Sequence, residues 1–168
     1  MHIRPALLSD IRQLIAIEQS AAQAFLQLPE LAWLARAEGL DEEAHKAFID
    51  HQGSWLAEDD QGIALGFVCL SLEGHALHIH ELSVRLQAQG RGIGRQLLDQ
   101  ACAVARHRGA RELTLSTFAQ VAWNGPFYAR YGFEVLDEKH LEPRLQGILA
   151  TELAHGLSGR CAMRLALT

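Results

Sequence analysis

The chain has 168 residues, 49% of them hydrophobic and 21% charged, with a formal net charge of −5. That length suits one folded domain spanning residues 1–168, able to bury about 70% of its extended surface. The composition is globular. No apolar run approaches the roughly 18 residues of a membrane span, so no membrane partner is expected, and the acidic balance argues against nucleic acid while remaining compatible with a cationic small molecule.

The N-terminus MHIRPALLSD lacks an apolar signal core and a small-residue cleavage site, so a cytoplasmic protein is expected. Cys69, Cys102 and Cys161 are odd in number, widely spaced and set among apolar neighbours, a pattern of buried reduced thiols rather than of disulfides or a zinc knuckle.

HIRPA reads as a first strand. Ser9 and Asp10 then offer N-cap chemistry for an amphipathic helix carrying Ile11, Leu14, Ile15 and Ile17 at helical spacing. FLQLPELAWLARAEGL is interrupted by Pro29 and closed by Gly39, and DEEAHKAFIDHQ begins with an acidic first turn, which predicts two further short helices. From Ser54 the period changes: SWLAED, IALGFVCLSL and HALHIHELSV read as an antiparallel meander with tight turns. GIGRQLLDQACAVARHRG places Ile93, Leu97, Leu98, Ala101 and Ala105 on one helical face and stops at Gly109. RELTLSTF alternates as a strand, AWNGPFYARYG is a short helix, and FEVLD is a strand. EPRLQGILATELAHGLSG is a helix capped by Gly156, and RCAMRLAL is a closing strand. With no repeat or low-complexity linker, the pattern predicts one compact α/β unit.

The segment LSVRLQAQGRGIGRQLL sets strand, turn and helix in succession, with Gly90, Gly92 and Gly94 where the helix begins. Such glycines let a diphosphate approach the backbone, and the unpaired N–H groups and positive end of the helix attract it, with charge added by Arg91 and Arg95. A plain capped turn is the alternative from local sequence alone. Spacing excludes a GxxxxGK[ST] loop, and Glu112 falls at a strand start, not at the strand end where a dinucleotide-binding acid would sit.

QGRGIG, from Gln89 to Gly94, matches the Q/R-x-x-G-x-G/A signature of the GNAT superfamily of acetyl-coenzyme A dependent N-acetyltransferases, preceded by its LSV strand. WNGPFYARYGF, from Trp123 to Phe133, resembles the N-x-x-F-Y-x-x-x-G-F segment of that superfamily, beginning at Asn124. The resemblance covers residues 78 to 135 and extends further through the order of elements. It implies an α/β (α+β) fold with a mixed, mostly antiparallel sheet of about six to seven strands flanked by helices, and acetyl-coenzyme A as co-substrate.

Carried over by position, it implies that backbone amides of Gln89, Gly90, Arg91, Gly92, Ile93, Gly94 and Arg95 hold the pyrophosphate. The main chain of Leu82, Ser83 and Val84 would pair with the pantetheine arm and thioester carbonyl, a backbone donor there stabilising developing negative charge. Asn124 would bond the arm, and Phe127 would be a further coenzyme-binding residue. Tyr128 would lie near the thioester sulfur and protonate the leaving thiolate.

Alternation on a strand puts His78, His80, Leu82 and Val84 on one face and Ile79, Glu81 and Ser83 on the other, with His75 nearer the turn. No third ligand completes a metal set around the two histidines, so no metal is expected. Transfer to an amine requires its neutral form, and histidine is tuned to take that proton. H-I-H-E-L-S-V is similar to the serotonin (arylalkylamine) N-acetyltransferase branch, which implies proton relay through His78 and His80. Glu81 is the rival base.

The apolar segment after the first helix usually lines the acceptor pocket in this superfamily, which brings Phe25, Leu28, Trp33 and Leu34 into view. The same residues suit a core or a dimer interface. Trp123 is the other large side chain near the expected acceptor surface. The reading is direct transfer of acetyl to the primary amine of a small molecule, by a monomer or homodimer. Protein or peptide N-terminal or lysine acetylation is one alternative, and a non-catalytic acetyl-coenzyme A sensor module is another. No base-bearing motif accompanies Cys102 or Cys161, so an acetyl-cysteine route is not expected.

Overall fold

The computed structural model describes residues 1–168. Its strands are β1 (His2–Pro5), β2 (Ser54–Glu58), β3 (Ala64–Glu73), β4 (Ala76–Val84), β5 (Glu112–Phe118), β6 (Glu134–Val135) and β7 (Arg160–Ala166). Its α-helices are α1 (Ile11–Ala22), α2 (Glu42–Asp50), α3 (Ile93–His107), α4 (Gly125–Tyr131) and α5 (Pro143–Ala154). The strands form one seven-stranded sheet in the order β1-β2-β3-β4-β5-β7-β6. β1 to β3 pair antiparallel, as do β5, β7 and β6, whereas β4 runs parallel to β5. The two-residue turn at Gly74 and His75 joins β3 to β4, a connection only antiparallel strands admit. The mixed, mostly antiparallel sheet flanked by helices agrees with the expectation, although the strand read in FEVLD shrinks to Glu134–Val135. No helix is long and apolar enough to cross a membrane.

The chain divides into two compact units. The first comprises Met1–Ser71 and Ile79–Ala103. Its core gathers Leu14 and Ile17 of α1, Leu56 of β2, and Phe67 and Cys69 of β3, with Phe48 and Ile49 of α2 packed against them. At Gly66 of β3 a Cβ would run into the Ser83 carbonyl and crowd Val84 and Leu97 of α3. The N-terminal strand is pinned to the start of α1 by Arg4, whose guanidinium donates to Asp10 at 2.8 and 3.0 Å, while Asp10 also accepts from the Leu7 N–H.

Two expectations are corrected in this unit. The segment from Gln23 to Arg36 is not an α-helix but two 3-10 runs, Gln23–Gln27 and Pro29–Arg36. Leu28 between them is extended, at φ −116° and ψ 106°, because a residue before proline is pushed out of the helical region. Only α2 forms a regular helix there, with Asp41 accepting from the Ala44 N–H at its start. Nor do the even-numbered residues of β4 share one face. The His80 ring packs on Phe48 of α2 at 5.0 Å, whereas Val84 lies over Gly66 on the side of Leu97 of α3, so alternation breaks between them.

The second unit comprises Leu72–His78 and Val104–Thr168. Helix α5 settles through Leu145, with Ile148 and Leu149, onto Leu141 and Ala162. Polar residues recur at every second position of β5: Glu112 bonds His75, Thr114 bonds His78 and Arg144, and Ser116 bonds Glu152. Arg160 closes the row, holding both Glu152 oxygens at 3.1 Å and lying 4.6 Å from the centre of the Phe118 ring. Beyond α5, Gly156 turns the chain with φ +86°, as its predicted capping role requires.

Candidate active site

In the first unit the glycine-rich turn links β4 to α3 through a short 3-10 turn at Leu86–Ala88. Gly90 and Gly92 take φ +79° and +83°, a region that costs an L side chain energy, and nothing lies within 4 Å of where a Cβ would stand on either. The backbone here is therefore both specially shaped and open. Gln89 donates from its side-chain amide to the Val84 carbonyl at 3.1 Å, and Arg91 donates to the Gln87 carbonyl at 3.1 Å, so the turn is tied to the end of the strand it follows. Ser20 of α1 accepts from the Leu86 N–H. Gly94 and Arg95 enter α3 behind buried Ile93, in the helical turn whose first N–H groups have no carbonyl of their own helix to meet.

On β4 in the same unit, Ser83 is buried and donates to Glu81 at 2.8 Å, while Leu82 and Val84 are partly exposed. His80 is exposed, and its Nε2 lies 2.6 Å from the Ser71 hydroxyl. Phe25 is half-buried and Trp33 is 48% exposed, so Trp33 is not a core residue. Glu18 of α1 accepts from the Leu40 N–H, and burial raises its carboxyl above the usual carboxylate range. A side chain at Gly39 would collide with that carboxyl.

In the second unit, Asn124 heads α4 and its carbonyl accepts from the Tyr128 N–H at 3.0 Å. Gly125 packs so closely that a Cβ would run into the Ala119 carbonyl. Tyr128 is 8% exposed and meets Phe127 and Phe133 edge to face, at 5.1 and 5.6 Å. Trp123 is half-buried just ahead of Asn124. His78 is 3% exposed. Its Nδ1 lies 2.8 Å from the Thr114 hydroxyl and 3.1 Å from the Arg144 guanidinium, which in turn donates to Thr114 and to Glu142. The proposed residues thus fall into two groups. Leu82 to Val84, Gln89 to Arg95, His80, Glu81, Phe25 and Trp33 belong to the first unit, and His78, Trp123, Asn124, Phe127 and Tyr128 to the second.

The family model described as acetyltransferase (GNAT) family matches residues 15–133, which include the glycine turn and the Asn124 segment. The chain belongs to this acetyltransferase family. Among solved structures, this GNAT chain is similar to the PaiA N-acetyltransferase of Thermoplasma acidophilum in complex with coenzyme A, at 17% identity and a TM-score of 0.75, covering 99% of this chain and 98% of that one. It is also similar to the ribosomal-protein-alanine N-acetyltransferase of Brucella melitensis, at 22% identity and a TM-score of 0.68, covering 99% and 100%. The N-acetylglutamate synthase of Neisseria gonorrhoeae, complexed with coenzyme A and N-acetyl-glutamate, matches at 20% identity and a TM-score of 0.72; there the chain covers 35% of the larger protein. These likenesses concern the fold.

The GNAT motifs pointed to the turn and to α4, but several polar partners of the proposed residues lie outside any motif. Ser71, Thr114 and Arg144 become neighbours of the two histidines only through strand pairing and the docking of α5. The alternation of RELTLSTF was the available signal, since it marks Thr114 as sharing a face with Glu112 and Ser116.

The partners differ in kind. A serine hydroxyl both donates and accepts, so the Ser71 contact survives proton uptake at His80 Nε2; a guanidinium only donates. No three His, Cys, Asp or Glu side chains gather as a metal-ligand set.

Proposed function

We propose that this acetyltransferase takes the acetyl group of acetyl-coenzyme A and transfers it directly to the primary amine of a small molecule within a ternary complex. The observation that carries the reading is the turn itself: two exposed glycines at positive φ, with open space over both, directly before the start of α3. A diphosphate fits such a backbone because N–H groups and the helix dipole replace its lost hydration. In this reading the backbone of Gln89 to Arg95 holds the pyrophosphate, and the Gln89 amide, bonded to Val84, keeps turn and strand in register. The main chain of Leu82, Ser83 and Val84 receives the pantetheine arm, with Asn124 and Phe127 as its further contacts. Bound acetyl-coenzyme A supplies the activated acetyl group.

The chain's own residues move the protons. His80 is exposed, and the Ser71 hydroxyl can switch from donor to acceptor as Nε2 gains the amine's proton. Tyr128 is the acid that protonates the departing thiolate. The aromatic ring of Phe48 against His80, with Phe25 and Trp33 in the same unit, favours an apolar or arylalkyl amine as acceptor.

The test is formation of N-acetyl product and coenzyme A across a panel of arylalkylamines, polyamines and short peptides. Turnover on small amines supports the reading. Preferential acetylation of peptide N-termini or lysines would replace it with a protein-directed activity, and tight coenzyme binding without turnover would replace it with a sensor.

A further inference from the structure

The glycine turn is gripped from outside both motifs, by one face of α1. We infer that Ser20 is a positioning residue for coenzyme binding: its hydroxyl fixes the Leu86 amide and so sets the shape of the turn through Gly90 and Gly92 before a ligand arrives. The inference rests on the reading that this turn holds the diphosphate of acetyl-coenzyme A.

Gln13 and Ser20 stand about two helical turns apart on α1 and so share a face. Gln13 Oε1 accepts from Arg85 Nη2 at 2.7 Å, and Ser20 Oγ accepts from the Leu86 N–H at 3.0 Å. The same guanidinium donates through Nε to the Ala64 carbonyl at 2.7 Å, and the Arg85 N–H donates to the Leu65 carbonyl at 2.8 Å. Residues 85 and 86 are thereby tied to β3 and to α1 together. The helix is a firm support, because Leu14 and Ile17 are wholly buried in the core of this unit. Ser20 is fixed through its backbone as well, its carbonyl accepting from the Gln23 N–H where α1 ends.

Beyond Leu86 the grip passes along the turn. The Ser20 hydroxyl lies 3.5 Å from Gln87 Oε1, and the Gln87 carbonyl accepts from the guanidinium of Arg91, which stands between the two glycines. Glycine has the widest backbone freedom of any residue, and freedom lost on binding subtracts from affinity. A stem fixed in advance reduces that loss. The sequence gives no sign of this role, since Leu86 and Gln87 lie 66 and 67 positions from Ser20.

The test is calorimetric titration with coenzyme A. Leu86 is 37% exposed, so water can take up its amide when the hydroxyl is removed, and Ser20→Ala should still unfold cooperatively in denaturant. It should raise the dissociation constant about threefold or more, the loss of one ordinary hydrogen bond, while Ser20→Thr, which keeps a hydroxyl, should stay within about twofold of wild type. A double-mutant cycle with Gly92→Ala separates positioning from a general loss of stability. Acting through the turn, the Ser20→Ala change should cost less than about 1.5-fold once Gly92→Ala has already relaxed that turn. Equal costs in the two backgrounds would overturn the inference, and so would an unchanged dissociation constant in folded Ser20→Ala. In the wild-type protein without ligand, the Leu86 amide should exchange its hydrogen about tenfold or more slower than an unprotected amide; full-rate exchange there overturns the inference whether or not any variant folds. Coenzyme A that fails to bind the wild-type chain at all would overturn the acetyltransferase reading itself, and the inference with it.

Discussion

His45 lies on α2 with its ring wholly enclosed, edge to face with Phe67 at 5.4 Å, and neither ring nitrogen has a hydrogen-bond partner. Burial lowers its ionisation below the ordinary 6.5, with Asp41 pulling weakly the other way. As pH falls through about 6.5 the unfolded chain binds a proton that the folded chain refuses, so stability declines with acidification in that range. His45→Leu should flatten this slope and add about 1 kcal/mol at neutral pH, as read by denaturant titration at several pH values. At Tyr128, whose ring is also buried, the expectation is kinetic. Tyr128→Phe preserves the contacts with Phe127 and Phe133 and removes only the hydroxyl, so kcat should fall about tenfold or more while the dissociation constant for acetyl-coenzyme A stays within about twofold. An unchanged kcat would remove the acid role.

At the scale of elements, the glycine turn gives the cleanest separation of shape from space. A methyl group on Gly92 would touch nothing, yet φ +83° costs an L residue about 1–2 kcal/mol. Gly92→Ala should therefore relax the turn and raise the dissociation constant for coenzyme A about fivefold or more by calorimetry. Gly74→Ala, equally strained at φ +62° in the β3–β4 hairpin, should cost stability and leave coenzyme binding alone.

Much of this level was readable in the sequence. Periodicity marked α1, α3 and every strand, and the turn residues marked their ends. Two features were not readable. Pro29 was visible as an interruption, but whether its neighbours continue as α-helix or tighten into 3-10 runs depends on packing that residues such as Leu26 and Trp33, both about half exposed, do not supply. The break of alternation in β4 was hidden because period-2 reasoning assumes an unbroken strand, and only the packing of His80 on Phe48, and of Val84 beside Gly66 on the side where Leu97 lies, reveals otherwise.

For the whole molecule, the family match ends at residue 133, and the last 35 residues carry α5, β7 and Arg144. Motif reading could propose the glycine turn, Asn124 and Tyr128, since each depends on a short spacing. It could not locate the partners of His78, because Thr114 and Arg144 lie 36 and 66 positions away and meet it only in the folded chain. Binding of coenzyme A to the folded chain alone should raise its stability by about 2.7 kcal/mol at a concentration one hundred times the dissociation constant, visible as a higher Tm. ATP and NAD, which present a phosphate chain without the pantetheine arm, should raise it far less at equal concentration; equal shifts would mean a generic anion site.

The burial of all three cysteines has a practical consequence for measuring this enzyme. Desolvation pushes the Cys69 and Cys161 thiols up, and Cys102 is 6% exposed, which limits a reagent's access to it. A disulfide reagent added to the native protein should label far less than one equivalent over minutes, and three equivalents once the chain is denatured. The colour that develops during turnover can then be ascribed to released coenzyme A, and the protein needs no cysteine-free variant for its own assay.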